Sequence, residues 1–148
     1  MRIVATFESS AFTFPPENLI ELAAPPGKDV ALWLAARLRE LGSEVIGEPE
    51  PEDFGWYITF STEGELYQAV IGPNGQEFWY VVVEQVVGFI LSVLGHRRKH
   101  KHPHGLLAVH NALKNANEAN KLQWHSWEWF SRGGARAFDD GTDAPIGI

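Results

Sequence analysis

The sequence has no cysteine. Disulfide staples, thiolate metal sites and a thiol nucleophile are therefore excluded. A long hydrophobic run is also missing. The longest apolar stretch, Phe78 to Leu94, is broken by Glu84, Gln85, Gly88 and Ser92, too short and too mixed to span a bilayer. Residues Met1 to Glu8 lack the apolar core of a signal peptide. Basic residues are scarce: 12 Lys and Arg stand against 19 Asp and Glu, a formal net charge of −7. That balance disfavours a nucleic-acid partner, because phosphate contacts need a basic surface. A soluble, cytoplasmic protein is the expectation.

Catalytic signatures are absent too. There is no nucleophile elbow, P-loop, dinucleotide fingerprint or His-Glu-x-x-His. Ser9, Ser10, Ser43 and Ser126 lie in no recognisable elbow. A serine could still meet His110 or His125 across the fold, since triads do not follow chain order. A hydrolase assembled in this way stays open as an alternative, while the sequence leans against an enzyme.

What is present suits one globular domain. The chain has 148 residues, 45% hydrophobic and 21% charged, which argues against wholesale disorder. In residues 2–8, Ile3, Ala5 and Phe7 share one face of a strand. Pro15, Pro16, Pro25 and Pro26 mark a connecting segment. From Gly27 to Leu41, Val30, Leu34, Leu38 and Leu41 recur at helical spacing, and Gly42 supplies a stop. A short strand is expected at Ser43–Gly47. A meander follows: Phe54–Thr62, Leu66–Ile71 and Gln76–Glu84, with turns at 63–65 and 72–75. Short turns make that sheet antiparallel. Polar positions at helical spacing favour a short helix over 85–95. Gly105–Asn120 reads as a second amphipathic helix and Leu122–Phe130 as a last strand. The tail from 132 to 148 is expected to be loosely held beyond a domain at 1–131. Strands and helices are segregated, so the fold class is α+β: a mainly antiparallel sheet with two or three helices on one face.

Two charged segments stand out. The first is His96-Arg-Arg-Lys-His-Lys-His-Pro-His104, with four of the six histidines and four of the twelve basic residues. In an extended segment His100, His102 and His104 project to one side, a pattern that could hold zinc or nickel, if only adventitiously. Neighbouring cations oppose that, and no carboxylate is near in sequence. The plainest reading is a solvated connector; a variant docks the segment on an acidic surface. The second segment carries Glu48, Glu50, Glu52 and Asp53 between prolines, which should hold it extended and keep the carboxylates splayed. Acidic surfaces steer basic partners, so Glu48, Glu50, Glu52, Asp53 and the cations Arg97 and Arg98 are candidate partner-binding residues. The six Trp, nine Phe and three Tyr leave room for an exposed aromatic face, which would mark a partner site or a homodimer.

Gly27-Lys-Asp-Val-Ala-Leu-Trp-Leu-Ala through Gly42, followed by Pro49-Glu-Pro-Glu-Asp-Phe-Gly-Trp56, resembles a group of small uncharacterised bacterial proteins. Val83-Glu84 and Gly95-x-Arg97-Arg98 fit the same pattern. The similarity covers most of residues 27–130; the His-rich stretch and the tail depart from it. It implies a one-domain bacterial α+β protein, supports a helix over 86–95 and transfers no activity or catalytic residue. The expected function is a non-enzymatic protein-binding module of immunity or accessory type, the alternatives being a metal-binding protein built on the His-rich loop and the hydrolase above. No cofactor is expected.

Overall fold

The computed structural model describes residues 1–12, 25–53, 55–74, 78–86, 98–133 and 141–146. Their strands form one antiparallel sheet of six, in the order β2-β3-β4-β5-β1-β6. These are β1 (Val4–Glu8), β2 (Glu44–Pro51), β3 (Trp56–Thr62), β4 (Glu65–Asn74), β5 (Phe78–Gln85) and β6 (Asn120–His125). The β2–β5 meander follows chain order because its turns are short. β1 fills the place beside β5, and β6 pairs on its far side. The α+β reading holds.

Alternation divides the sheet into two faces. On the first, Ala5, Phe7, Trp56, Ile58, Phe60, Tyr67, Ala69, Ile71, Trp79, Val81, Val83 and Trp124 are buried. Two helices cover it: α1 (Lys28–Glu40) and α2 (His104–Lys114). Helix α1 contributes Val30, Ala31, Leu34, Ala35 and Leu38, and α2 contributes Leu106, Val109, Ala112 and Leu113. The stripe read in residues 27–41 is thus core. Gly42, at φ +98°, ends α1, with Ser43 N–H donating to the Leu38 carbonyl at 3.0 Å.

Several boundaries differ from the sequence reading. β2 does not stop at Gly47 but runs through the Pro-Glu segment to Pro51. It can do so because it is an edge strand, where a missing proline N–H costs no ladder bond; its register shifts between Ile46 and Glu50. β4 continues to Asn74, pairing Gly72, Pro73 and Asn74 with Tyr80, Trp79 and Phe78, so these three expected turn residues belong to the strand. Helix α2 ends at Lys114, not Asn120. The stretch expected as one strand to Phe130 breaks at Ser126, whose hydroxyl accepts the Trp129 N–H and caps α3 (Trp127–Ser131). This third helix is not on the covered face: Trp129 stacks on His125 and Phe130 on Tyr80, both of the opposite face. The tail is held in part as well. Thr142 exchanges two backbone hydrogen bonds with Trp124, and Pro145 is buried and accepts the Arg2 N–H. The helix expected over 85–95 lies outside the described residues beyond Val86; Gln85 itself ends β5.

Candidate functional site

The polar cluster worth building up lies where β4 begins and β5 ends. Glu63 and Gly64 both take positive φ, 51° and 76°, the geometry of a tight two-residue hairpin. That turn places Glu65 opposite Thr62 at the start of β4. Two residues on, Tyr67 pairs with Gln85, the last residue of β5. Both side chains turn toward Glu65: the Tyr67 hydroxyl donates to Oε2 at 3.1 Å and the Gln85 amide donates to the same oxygen at 2.6 Å.

The His-rich segment closes over this pair. Lys101 N–H donates to Oε1 of the Gln85 side chain at 2.8 Å. Gln85 thus fixes the loop backbone with one end of its amide and Glu65 with the other. His100 folds inward. Its Nε2 donates to the Val83 carbonyl at 2.9 Å, its ring stacks on Tyr67, and its Nδ1 is buried without a partner among the described residues. His102 Nδ1 makes a short hydrogen bond to Glu65 Oε1. His104 opens α2, and its ring stacks on that of His102 with centroids 5.4 Å apart. One ligand atom from each of Glu65, His102 and His104 lies within 4.8 Å of the other two.

Gly105 makes the closure possible. A Cβ there would come within 2.4 Å of Tyr67 Cδ1, so only glycine lets α2 start directly over the Tyr67 ring. Burial pushes the Tyr67 phenol up to about 12, which keeps it a proton donor to Glu65. For Glu65, desolvation acts upward, but the hydrogen bonds from His102 and Tyr67 and the imidazoles of His102 and His104 outweigh it. Its carboxyl therefore titrates below the ordinary value. Burial moves the His100 imidazole below its ordinary value as well, against the upward pull of the Val83 carbonyl.

The structure therefore splits the predicted histidine trio. His102 and His104 come together, and His100 is turned away into a structural contact. The ligand-type residue that spacing did not reveal is Glu65, 37 positions before His102 in the chain. It answers the objection that no carboxylate is near. The loop does dock on an acid, but on Glu65 and not on the Glu48–Asp53 segment.

The acidic candidates lie apart from this cluster. Glu48, Glu50, Glu52 and Asp53 are exposed along the outer end of β2, and among the described residues none is ion-paired with a lysine or arginine. Glu50 accepts a short hydrogen bond from the Tyr57 hydroxyl, which pushes that phenol up. Desolvation, and then the charges of Glu84 and Asp53, push the Glu52 carboxyl up. Of the cationic candidates, Arg98 stacks its guanidinium over Trp127 at 4.0 Å from the ring centroid; Arg97 is outside the described residues. The described aromatic side chains are buried or half-buried, Trp33, Tyr57, Tyr80 and Trp127 among the latter.

The two histidines considered for a hydrolase are engaged elsewhere. His125 is buried, 2.8 Å from the Thr6 hydroxyl and stacked on Trp129. His110 Nδ1 accepts the Trp124 indole N–H at 3.1 Å. A groove lined by Ser43, Thr62, Glu63, His104 and Asn111 brings a serine near a histidine, but no hydrogen bond links Ser43 to His104 among the described contacts. No helix of the described residues is long and apolar enough to cross a membrane.

No protein-family model, curated protein or solved structure matches this chain.

Proposed function

We propose that this chain is a binding module that docks a basic protein surface through the acidic edge of its sheet. The observation behind this reading is the character of β2. It is an edge strand in the sheet order, and with the two residues that follow it presents five carboxylates, Glu44, Glu48, Glu50, Glu52 and Asp53, with no described cation paired to them. Sheet edges are natural docking templates because their outer backbone groups lack strand partners. Here Pro49 and Pro51 remove donors from the edge, which blocks simple strand addition. Recognition is then left to the carboxylates. Such an edge raises the association rate of a cationic partner and makes it salt-dependent.

The test is affinity capture from lysate at low and high salt, with the wild-type chain beside a variant carrying Glu48→Lys, Glu50→Lys, Glu52→Lys and Asp53→Lys. The expected result is a stoichiometric protein partner captured at low salt and lost from the variant. Capture that is equal for both chains would contradict the proposal.

A further inference from the structure

We infer that Glu65, His102 and His104 form a binding site for one divalent ion of the zinc class. The inference does not depend on the acidic edge. Its donor set, two imidazoles and one carboxylate, is one that zinc uses where it keeps a position open. Tetrahedral zinc at about 2.0–2.1 Å from each donor holds its ligand atoms about 3.4 Å apart. The three donors here already lie within 4.8 Å of one another. Closing the rest takes roughly an ångström, and the His102 side chain, 58% exposed, has room to make that move. The ion would take the place of the hydrogen bond between His102 and Glu65.

The stronger argument is how the carboxylate is held. Ligands are oriented by the groups behind them, and losing such a group commonly lowers metal affinity about 10- to 100-fold. Glu65 Oε2 takes two donors, from Tyr67 and Gln85, leaving Oε1 toward His102. Gln85 also pins the loop that carries His102. Residues from β4, the loop and α2 are thereby brought to one place by the fold, whereas a mobile His-rich tract gathers ligands only by chance.

Charge decides which ligand matters most. Lys99 and Lys101 flank the site in sequence and the positive end of α2 faces it, so both oppose a cation. The two lysines are exposed and screened by salt, and Arg98 is engaged on Trp127. Glu65 is the only carboxylate in the cluster, so its loss should weaken binding more than the loss of either imidazole.

Zinc chloride titrated calorimetrically into the full, untagged chain tests this. The wild type should take up one equivalent with a Kd of about 1 µM or tighter, a binding free energy of about −8.2 kcal/mol. Glu65→Gln should weaken it at least 100-fold, and His102→Ala or His104→Ala about 10- to 100-fold. Tyr67→Phe, which removes no ligand, should cost about 10-fold. Circular dichroism of each metal-free variant checks folding. If Glu65→Gln does not fold, the His104→Ala and Tyr67→Phe titrations decide. Uptake of several equivalents or unchanged binding by Glu65→Gln would each overturn the site in favour of loose chelation by the His-rich tract.

Discussion

Glu65 and Glu52 are both glutamates beside a charged segment, yet the fold treats them in opposite ways. Glu65 sits under the cationic loop with donors on both oxygens, and its carboxyl titrates below the ordinary range. Glu52 follows the acidic edge strand, and desolvation, then the charges of Glu84 and Asp53, raise its carboxyl above that range. The loop is tied to the sheet by side chains of β4 and β5. The edge is displayed to solvent. Charge in a sequence therefore says little until it is known which neighbours the fold supplies: a run of histidines and lysines became a packed junction, while a run of glutamates stayed open.

The sharpest way to break this contrast is at the packed junction. Gly105→Ala forces a Cβ against the fully buried Tyr67 ring. Overpacking of that kind should cost about 1–3 kcal/mol, read as a fall in the urea midpoint. Replacing Glu65 by Ala strips the acceptor from the buried side chains of Tyr67 and Gln85 and should cost about 1–3 kcal/mol, the penalty for leaving a buried donor unpaired. The same measurement on Glu48→Gln should move stability by less than about 0.5 kcal/mol, as for an ordinary surface site. If Glu65→Ala were as harmless as Glu48→Gln, the junction would be no more built than the edge.

Acid titration sharpens the same contrast. A lowered carboxyl contributes stability that is complete above its unfolded value and is lost as pH falls through the folded one. Glu65 should therefore stabilise the fold above pH 4.5 and less below it. His100, buried and lowered, contributes in full above its ordinary value of 6.5 and loses that contribution as pH falls below it. Glu52 has the opposite sign: its raised carboxyl favours the folded state at low pH and costs stability as pH rises through it. Unfolding midpoints between pH 4 and 7.5 should fall toward acid less steeply in His100→Gln than in the wild type. Glu52→Gln should leave the chain slightly more stable at pH 7, the smallest effect expected here. A wild-type profile that His100→Gln leaves unchanged would contradict the burial of that imidazole.

Much of the fold was legible because it rests on periodicity. The β3–β5 meander, the α1 stripe and the Gly42 stop follow from spacing and turn residues. The last strand was misread for a physical reason: Trp127 and Trp129 alternate as in a strand, and the signal to the contrary was Ser126 with Glu128 in the following turn, an N-cap pattern. Proline in Pro49 and Pro51 argued against a strand, and only position at the sheet edge permits one. The cluster was half legible. His102 and His104 stand out in the sequence, but Glu65 joins them only through strand register. The one available hint was indirect. The Glu63–Gly64 turn starts β4 beside the end of an antiparallel β5, and the chain leaving β5 is the one that leads to the histidines.

The central claim is that the loop is fastened to the sheet through Gln85 and Glu65. Amide hydrogen exchange at Lys101, followed residue by residue by NMR, tests it most directly, because that N–H has a single acceptor, the Gln85 side chain. Exchange there should be slowed at least about 10-fold relative to an unfolded chain, since opening must precede exchange, and released to the unfolded rate in Gln85→Ala. A Lys101 amide that already exchanges at the unfolded rate in the wild type would contradict it.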